Sequence, residues 1–505
     1  MSAATASTRR GRRIAIIGAG PGGLCAAIEL RRGGFDDLLL LEQGTGVGGT
    51  WYHNRYPGAA VDIQAHLYSF SFEPKLDWTR PYATQPEIRA YLEDCAAKHG
   101  LAPYLRFGSA VRSAAWDEGE AVWRLRLERG EEVVADVVVS ALGMFNELHW
   151  PEIPGRELFR GTSFHSARWD HGHDLAGEDV AVIGSAASAV QFVPQIAPRV
   201  RRLQLFQRSA NWVLPKQDEP FSQEQLEAFR RDPSRVAALR QKIFDEVEAI
   251  IPLTDPAILR SSEQAGLRNL EQVQDPELRR RLTPQHPFGC KRPLIANDFY
   301  PTFNRPNVEL VTEPIERITE TGVRTRDGRE RRVDTIVFAT GFETTKYLSA
   351  VDVVGRGGRR LGEAWSDGAQ AYLGLATAGF PNLFMLYGPN TNNGSILFML
   401  ESQVGWVVRQ LERMRAEGLA WLDVRPDAMA RYNEQIQREI AAVAVWQADC
   451  HGYYRSPSGR VVTQWPHTML EYRRRTLQPD PEAFELQIAA GCARIGAPEE
   501  QGAPA

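Results

Sequence analysis

The sequence predicts an α/β protein made of two Rossmann-like units, with a helical insertion in the second unit. A β-branched run, a glycine-rich turn, a helix and a second apolar run follow one another over residues 14–41. The same order returns over residues 180–207. Residues 216–289 are instead rich in charged residues and have a helical pattern that prolines interrupt. The chain therefore contains two nucleotide-binding units.

Length and composition are those of an ordinary globular protein. The chain has 505 residues, of which 43% are hydrophobic and 24% charged, which excludes disorder, collagen and coiled coil. With 59 basic and 63 acidic residues, the net charge of −4 does not favour nucleic acid or a membrane as a partner. No apolar run of transmembrane length occurs. The basic start lacks the apolar core of a signal peptide and predicts a short disordered tail.

The cysteines indicate a reducing compartment. They stand far apart, at positions 25, 95, 290, 450 and 492, which matches neither a disulfide framework nor a zinc ligand set. We therefore expect a cytoplasmic protein without a bound metal.

The predicted elements divide the chain into two interleaved domains and an insertion. The first domain is assigned residues 1–145 and 375–505, the second residues 146–215 and 290–374, and the insertion residues 216–289. Apolar residues at three- and four-residue spacing from Val236 to Ile251 predict an amphipathic helix in the insertion, which is either a packing cap or a mobile substrate lid. The other predicted elements are strands at 14–17, 38–41, 180–184, 203–207, 307–312 and 334–338, and helices at 24–32 and 404–417.

The first glycine-rich turn has the spacing of a dinucleotide site. Gly18, Gly20 and Gly23 form a GxGxxG pattern between a strand and a helix, so backbone N–H groups and the helix N-terminus can face a pyrophosphate. Glu42 ends the next strand, where a carboxylate accepts hydrogen bonds from an adenosine ribose. Because its charge would repel a 2′-phosphate, this site is predicted to hold FAD or NAD rather than NADP.

The second turn, GSAASA over residues 184–189, is a degenerate form of the same pattern, with Ala186 and Ala189 at glycine positions. The strand that follows ends at Arg208 without a carboxylate, and a guanidinium there suits a 2′-phosphate through bidentate hydrogen bonds. This site is therefore predicted to bind NADPH. Its candidate residues are Gly184, Ser185, Ser188, Arg208 and Ser209.

Two such sites in one chain imply hydride transfer from NADPH to FAD. A disulfide reductase of similar layout would need two cysteines a few residues apart beside the flavin. Cys25 lies on the helix that begins at the first glycine turn, and no other cysteine is near it in sequence. This spacing argues against that class of enzyme.

Residues 159–170 read FRGTSFHSARWD, which is an FxGxxxHxxxWD pattern built on Phe159, Gly161, His165, Trp169 and Asp170. Its first four letters would occur by chance about once in a thousand such sequences. The pattern resembles the fingerprint of class B flavoprotein Baeyer–Villiger monooxygenases, nearest to the hydroxyacetophenone-monooxygenase-like branch. Residues 48–62, 289–311 and 338–348 resemble further segments of that family, so the resemblance covers most of the chain.

The resemblance implies conversion of a ketone, with NADPH and dioxygen, to an ester or lactone through a flavin 4a-peroxide. Arg292 is implied to stabilise the negative peroxide and the tetrahedral adduct, and Asp62 to orient Arg292; both would also contact the cofactors. Lys291 is implied to join Arg208 and Ser209 at the 2′-phosphate. The residues expected to border the flavin are Gly49, Thr50, Trp51, Tyr68, Val111 and Gln403.

Several features leave more than one interpretation open. His165 has either a structural or gating role or a part in proton transfer, and residues 446–465 are a candidate cover for the flavin. The chain departs from the family pattern at Ala186 and at residues 452–454, where Gly-Tyr-Tyr replaces Ser-Trp-Tyr. The alternatives to ketone oxidation are sulfur or nitrogen oxygenation and a non-oxygenating redox flavoprotein. A monomer or a homodimer is expected.

Overall fold

The computed structural model describes residues 12–450, 452 and 454–489. The predicted disordered tail, Tyr453 of the Gly-Tyr-Tyr segment and Cys492 lie outside the described residues. Among the described residues, no helix is long and apolar enough to cross a bilayer.

The strands, numbered in chain order, are β1 Ile14–Ile17, β2 Leu38–Leu41, β3 Leu105–Arg106, β4 Val111–Asp117, β5 Val122–Leu127, β6 Glu132–Ala135, β7 Val137–Ser140, β8 Thr162–His165, β9 Asp179–Ile183, β10 Arg202–Phe206, β11 Val213–Leu214, β12 Leu294–Ile295, β13 Val308–Val311, β14 Ile315–Thr319, β15 Gly322–Thr325, β16 Glu330–Arg332, β17 Thr335–Phe338, β18 Asp352–Val354, β19 Leu383–Met385, β20 Leu419–Val424 and β21 Phe484–Ile488.

The helices are α1 Pro21–Arg32, α2 Thr50–His53, α3 Gln85–Lys98, α4 Ala187–Ile196, α5 Gln223–Arg231, α6 Pro233–Ile250, α7 Pro256–Leu270, α8 Pro276–Leu282, α9 Phe299–Thr302, α10 Leu361–Ala364, α11 Ile396–Ala416, α12 Pro426–Ala441 and α13 Met469–Leu477.

The first unit is a parallel sheet of order β19-β7-β1-β2-β3. Its central strand β1 is buried at every residue and pairs in parallel with β2 and β7, with Ile14 opposite both Leu38 and Val137. Continuous β-branched and leucine runs form such strands because helices or further sheets cover both faces. A second layer, the sheet β18-β4-β5-β6, packs through Trp123 and Leu125 in the same core as Val138 of β7.

The second unit repeats this plan with a parallel sheet of order β13-β10-β9-β17-β8. Strand β9 lies between β10 and β17, and its register sets Val180 opposite both Leu203 and Thr335. The α/β fold with two Rossmann-like units is therefore confirmed, and each predicted strand is present within one or two residues at either end.

Helix α11 begins at Ile396, before the predicted start at residue 404. Leu397, Phe398, Met399 and Leu400 are all buried, so this end of the helix has no polar face for a periodicity argument to detect.

The domain boundaries differ from the predicted ones in two places. Strand β18 pairs with β4, so the chain has returned to the first unit by Asp352 rather than at residue 375. The insertion is also shared between the units. Arg240 of α6 donates to the carbonyls of His66 (2.6 Å) and Ser69 (3.0 Å) of the first unit, whereas Leu270 of α7 lies in the core of the second.

One pair of cysteines is linked. Cys290 and Cys450, separated by 160 residues, form a disulfide bond, which is a departure from the unlinked cysteines expected from the sequence. Cys25 and Cys95 are free and buried. Spacing along the chain could not identify the pair, because only the fold brings the two cysteine Cα atoms to 6.2 Å.

Candidate active site

A large cavity of about 1180 Å³ runs between the two units. It opens where the carboxyl ends of both parallel sheets meet, the place where open α/β sheets bind ligands. Pockets for one small molecule are typically about 300–1,000 Å³, so this cavity has room for more than one.

The first end of the cavity is a cradle that only glycine can form. Gly18 has a φ of +103°, and a Cβ built there would lie 2.8 Å from the carbonyl oxygen of Ala141. A Cβ on Gly23 would meet the Gly18 oxygen at 1.9 Å, so Gly23 lets α1 begin directly against β1. Gly18 and Gly20 line the cavity, whereas Gly23 lies behind them. The bare backbone of this turn fits a pyrophosphate at the N-terminus of α1.

Glu42 stands beside this cradle at the end of β2. The side chain is 5% exposed and lines the cavity. Its two carboxylate oxygens accept hydrogen bonds from the backbone N–H groups of Ala19 (2.9 Å) and Gly44 (2.7 Å). Glu42 therefore fixes the glycine turn and also presents negative charge where an adenosine ribose would lie.

The next stretch of wall is formed by α2 and the segment after it. Gly49 has a φ of +55°, and a Cβ there would lie 2.8 Å from the Cα of Gly20. Gly49, Thr50, Trp51, Tyr68 and Val111 all line the cavity. The Trp51 indole donates to the Tyr68 hydroxyl at 3.1 Å, and burial raises the pKa of Tyr68, which stays protonated. The wall is thus aromatic and rigid, as a planar ring system requires.

An ion pair lies on the cavity wall. Arg292 donates from Nε (3.0 Å) and Nη2 (2.5 Å) to a single oxygen, Oδ2, of Asp62. Each side chain is about one third exposed and lines the cavity. Two bonds to one carboxylate oxygen fix the position of the guanidinium, so a permanent positive charge faces the cavity.

The second end of the cavity repeats the glycine cradle in β9 and α4. A Cβ on Gly184, whose φ is +109°, would lie 2.3 Å from the carbonyl oxygen of Ala339. Ala186, at a usual glycine position, and Ser188 line the cavity, whereas Gly184 and Ser185 lie behind it. The N-terminus of α4 therefore presents small residues to the cavity, which leaves room for a phosphate.

A group of cations follows this second cradle. Arg208 is exposed and lines the cavity, and Lys291 donates from Nζ to the Ser209 hydroxyl at 2.8 Å. Burial first, and the charge of Arg208 second, lower the pKa of Lys291. Two cations held this close repel each other, and a dianion between them would relieve that repulsion.

Twelve of the predicted site residues line the cavity and six do not. Those that do not line it are Gly23, Gly184, Ser185, Ser209, Lys291 and Gln403. Gln403 is fully buried, and its Oε1 accepts the backbone N–H of Tyr387, which does line the cavity. Its place is that of a support for the wall rather than of a direct ligand contact.

His165 lies outside the cavity and is packed beneath the crossing between the units. It is 1% exposed, its Nδ1 accepts from the Ala167 N–H at 3.1 Å, and its ring contacts Trp150 and Phe342. Burial lowers the pKa of His165 to about 4, so the ring is neutral. These contacts favour the structural or gating interpretation over proton transfer.

Arg168 and His53 are among the basic residues on the cavity wall that were not predicted as site residues. Arg168 lies inside the FxGxxxHxxxWD segment, and His53 ends α2. Burial, together with the charge of Arg168, lowers the pKa of His53 to about 4. The position of Arg168 within the fingerprint was the available signal, and the structure places Arg168 on the cavity wall.

The candidate cover, residues 446–465, is anchored at both ends. Trp446 and Trp465 are buried in one apolar cluster with residues of α12 and α13. Between these anchors, the residues that line the cavity are Cys450, Gly452, Arg455, Ser456, Pro457 and Gly459.

Known proteins share this architecture. A family model described as pyridine nucleotide-disulphide oxidoreductase matches residues 15–250. A Pseudomonas aeruginosa protein named Baeyer-Villiger monooxygenase is 41% identical over 510 residues, which are 99% of this chain and 97% of that protein. A steroid monooxygenase structure bound to NADP matches with a TM-score of 0.85 at 33% identity, covering 95% of this chain and all of the other. A structure of OTEMO with FAD and NADP matches at the same TM-score and 28% identity, over 94% of this chain and all of that one.

Proposed function

We propose that this chain, which belongs to the Baeyer–Villiger monooxygenase family, inserts one oxygen atom of dioxygen beside the carbonyl group of a ketone to give an ester or lactone. It is an FAD-dependent enzyme that uses NADPH as its reductant. The second oxygen atom leaves as water.

The observation that carries this proposal is the Asp62–Arg292 ion pair between the two glycine cradles. A cavity with two dinucleotide ends serves many flavin enzymes. A fixed cation on its wall adds a group that stabilises negative charge as it develops on oxygen during the reaction. Asp62 holds the guanidinium in place before the reaction, so no reorganisation is needed when that charge forms.

The two ends of the cavity fit the two coenzymes. Glu42 presents a carboxylate at the first cradle, where it accepts a ribose but repels a 2′-phosphate, as FAD requires. Arg208 and Lys291 provide cations at the second, as NADPH requires. When bound, FAD takes electrons from NADPH and activates dioxygen.

The remaining residues of the wall orient the bound molecules and exclude water from the cavity. Trp51 and Tyr68 form a hydrogen-bonded aromatic surface, and the side chain of Gln403 fixes the backbone of Tyr387 from behind. Cys450, Gly452 and Arg455 line the cavity, and the Cys290–Cys450 bond joins their segment to the one that carries Arg292. Water exclusion matters because water would divert the activated oxygen to hydrogen peroxide.

The test is product analysis with purified enzyme. FAD-loaded protein receives NADPH, dioxygen and separate cyclic ketones, aryl ketones and thioethers, and products are identified by mass spectrometry. An ester or lactone heavier than its ketone by one oxygen supports the proposal. Sulfoxide alone would move the function to sulfur oxygenation, and peroxide without any organic product would indicate a non-oxygenating flavoprotein.

We further propose a cytoplasmic location, because the reaction consumes NADPH, which cells supply there. Cell fractionation with an antibody tests this location. Light scattering after gel filtration distinguishes a monomer from a homodimer, the two states that we expect.

A further inference from the structure

The Cys290–Cys450 disulfide joins two separate walls of the active-site cavity. One wall is the segment that carries Lys291 and Arg292. The other is formed by residues 448–450, 452 and 454–459, here called the cavity loop, which lies between the buried Trp446 and Trp465 and contributes Tyr454 to the same apolar cluster.

The first wall is firmly held without the disulfide. Cys290 is 5% exposed, and the residues after it are tied by Lys291 to Ser209 and by Arg292 to Asp62. Downstream, the backbone N–H of Leu294 donates to the Trp212 carbonyl at 2.8 Å. This segment is therefore a fixed point of the site.

The cavity loop has fewer links to that wall. Among its described residues, the Arg455 guanidinium donates to the carbonyls of Trp446 and Gly459 within the cover. The Ser458 hydroxyl donates to the carbonyl of Asp367 at 3.2 Å, which is a bond to a segment other than the first wall. Across to the first wall, the Ala448 carbonyl oxygen lies 3.9 Å from the Cys290 sulfur. Gly452 passes close to Lys291, because a Cβ built on Gly452 would lie 3.7 Å from the Lys291 Cγ. A covalent bond between the two segments is far stronger than such weak approaches.

The bond is also accessible from the cavity. Cys450 is half-buried and lines the cavity, whereas Cys25 and Cys95 are buried inside the protein. A small thiol that enters the cavity can therefore attack the sulfur of Cys450, which leaves Cys290 as the departing thiolate.

We propose that the Cys290–Cys450 disulfide is a redox-controlled latch. In the oxidised protein it ties the cavity loop to the Lys291–Arg292 segment, and in the reduced protein the loop is released and the cavity opens to water. The expected consequence for turnover rests on the proposed function: the reduced enzyme consumes NADPH with more hydrogen peroxide and less ester.

The redox step balances with small reactants. A dithiol gives two electrons and two protons to the sulfur–sulfur bond, which yields the two cysteine thiols while the dithiol closes to its own disulfide. Hydrogen peroxide reverses the step: the two thiols give up two electrons and two protons, the disulfide re-forms, and both peroxide oxygens leave as water. The peroxide released by uncoupled turnover can thus restore the latch that limits its own formation.

The first experiment establishes the bond in solution. Protein purified without reductant is denatured, labelled with N-ethylmaleimide, reduced, labelled with iodoacetamide and digested for mass spectrometry. We expect Cys290 and Cys450 to carry only the second label, and Cys25 and Cys95 to carry the first. First label on both Cys290 and Cys450 would overturn the proposal.

The second experiment measures the loop itself. Native protein, oxidised or reduced by dithiothreitol and then freed of it by gel filtration under nitrogen, is given a short pulse of trypsin. We expect cleavage after Arg455 to be roughly fivefold faster in the reduced protein, because local opening exposes that bond. Re-oxidation with one equivalent of hydrogen peroxide should restore the slow rate. Equal cleavage rates would make the disulfide purely structural.

The matched variant is Cys450→Ser, which removes the bond with little change in volume. It should be cut like reduced wild type whether or not dithiothreitol is present. Peroxide formed per NADPH should rise roughly threefold both in this variant and in reduced wild type. If the variant does not fold, reduced wild type still provides the test. Absence of ester with every ketone would refute the proposed function, whereas the labelling and trypsin results would still decide the latch.

Discussion

Replacement of Arg292 by alanine should separate the two halves of the catalytic cycle. The second glycine cradle and Arg208 lie elsewhere along the cavity and do not depend on the Arg292 side chain, so NADPH should still bind and reduce FAD. The step that needs a fixed cation, oxygen insertion into the ketone, should be nearly lost.

The size of the loss follows from the ion pair. Arg292 is one third exposed, so its charge is screened less than on the surface but more than in a dry interior. Removing one preorganised donor to a developing oxyanion typically costs about 2.7–4 kcal/mol, and partial exposure reduces this to about 2–3 kcal/mol. That energy corresponds to a decrease in ester formation of about 30- to 200-fold. Asp62→Asn, which keeps the shape but removes the charge that orients the guanidinium, should cause a smaller loss of about tenfold.

Two assays separate the effect of the substitution on flavin reduction from its effect on ester formation. Anaerobic stopped-flow follows flavin reduction by NADPH, and gas chromatography follows ester formation under air. Arg305→Ala is the control, since Arg305 is an exposed arginine of the same stretch of chain and should match wild type in both assays. Ester formation by Arg292→Ala within threefold of wild type would refute the role given to this residue. An equal fall in flavin reduction would instead point to a damaged coenzyme site.

Three further perturbations test other parts of the structure. Arg208→Ala should raise the KM for NADPH by about 10- to 100-fold and leave the KM for NADH nearly unchanged, because only NADPH carries the 2′-phosphate. Steady-state kinetics with both coenzymes measures the two KM values, and an equal rise in both would contradict the prediction. Glu42→Gln should weaken FAD binding by about tenfold or more, because the amide oxygen can still accept one of the N–H groups of Ala19 and Gly44 but the amide nitrogen cannot accept the other. Fluorescence titration of the apoprotein measures the affinity, and unchanged affinity would refute the role. Burial lowers the pKa of His66 to about 4, so the unfolded chain takes up a proton that the folded chain does not, and the free energy of unfolding should fall as the pH drops from about 6.5 to 4. Urea unfolding of His66→Phe should show a shallower fall, by up to about 1.4 kcal/mol per pH unit, and identical slopes in the two proteins would rule out this role of His66.

Local features of the sequence determined much of the fold. Buried strands that precede glycine-rich turns can be recognised in the sequence. The turn requires glycine because its backbone has a positive φ and leaves no room for a Cβ, as at Gly18 and Gly184. Glu42 and Arg208 each end the strand after such a turn, so their positions at the two ends of the cavity followed from strand order alone. Asp62 and Arg292 were identified only through resemblance to a family, since nothing local in the sequence relates residues 230 positions apart.

Other features depend on which distant segments pack together. The return of the chain to the first unit at β18, the division of the insertion between the units and the support of Tyr387 by Gln403 are set by contacts between distant elements. The Cys290–Cys450 bond is the clearest case, because its two cysteines lie 160 residues apart in segments without a shared pattern. Periodicity and turn chemistry report the preferences of a few neighbouring residues. Pairing between remote segments is instead decided by the packing free energy of the whole chain, so only the tertiary structure reveals it.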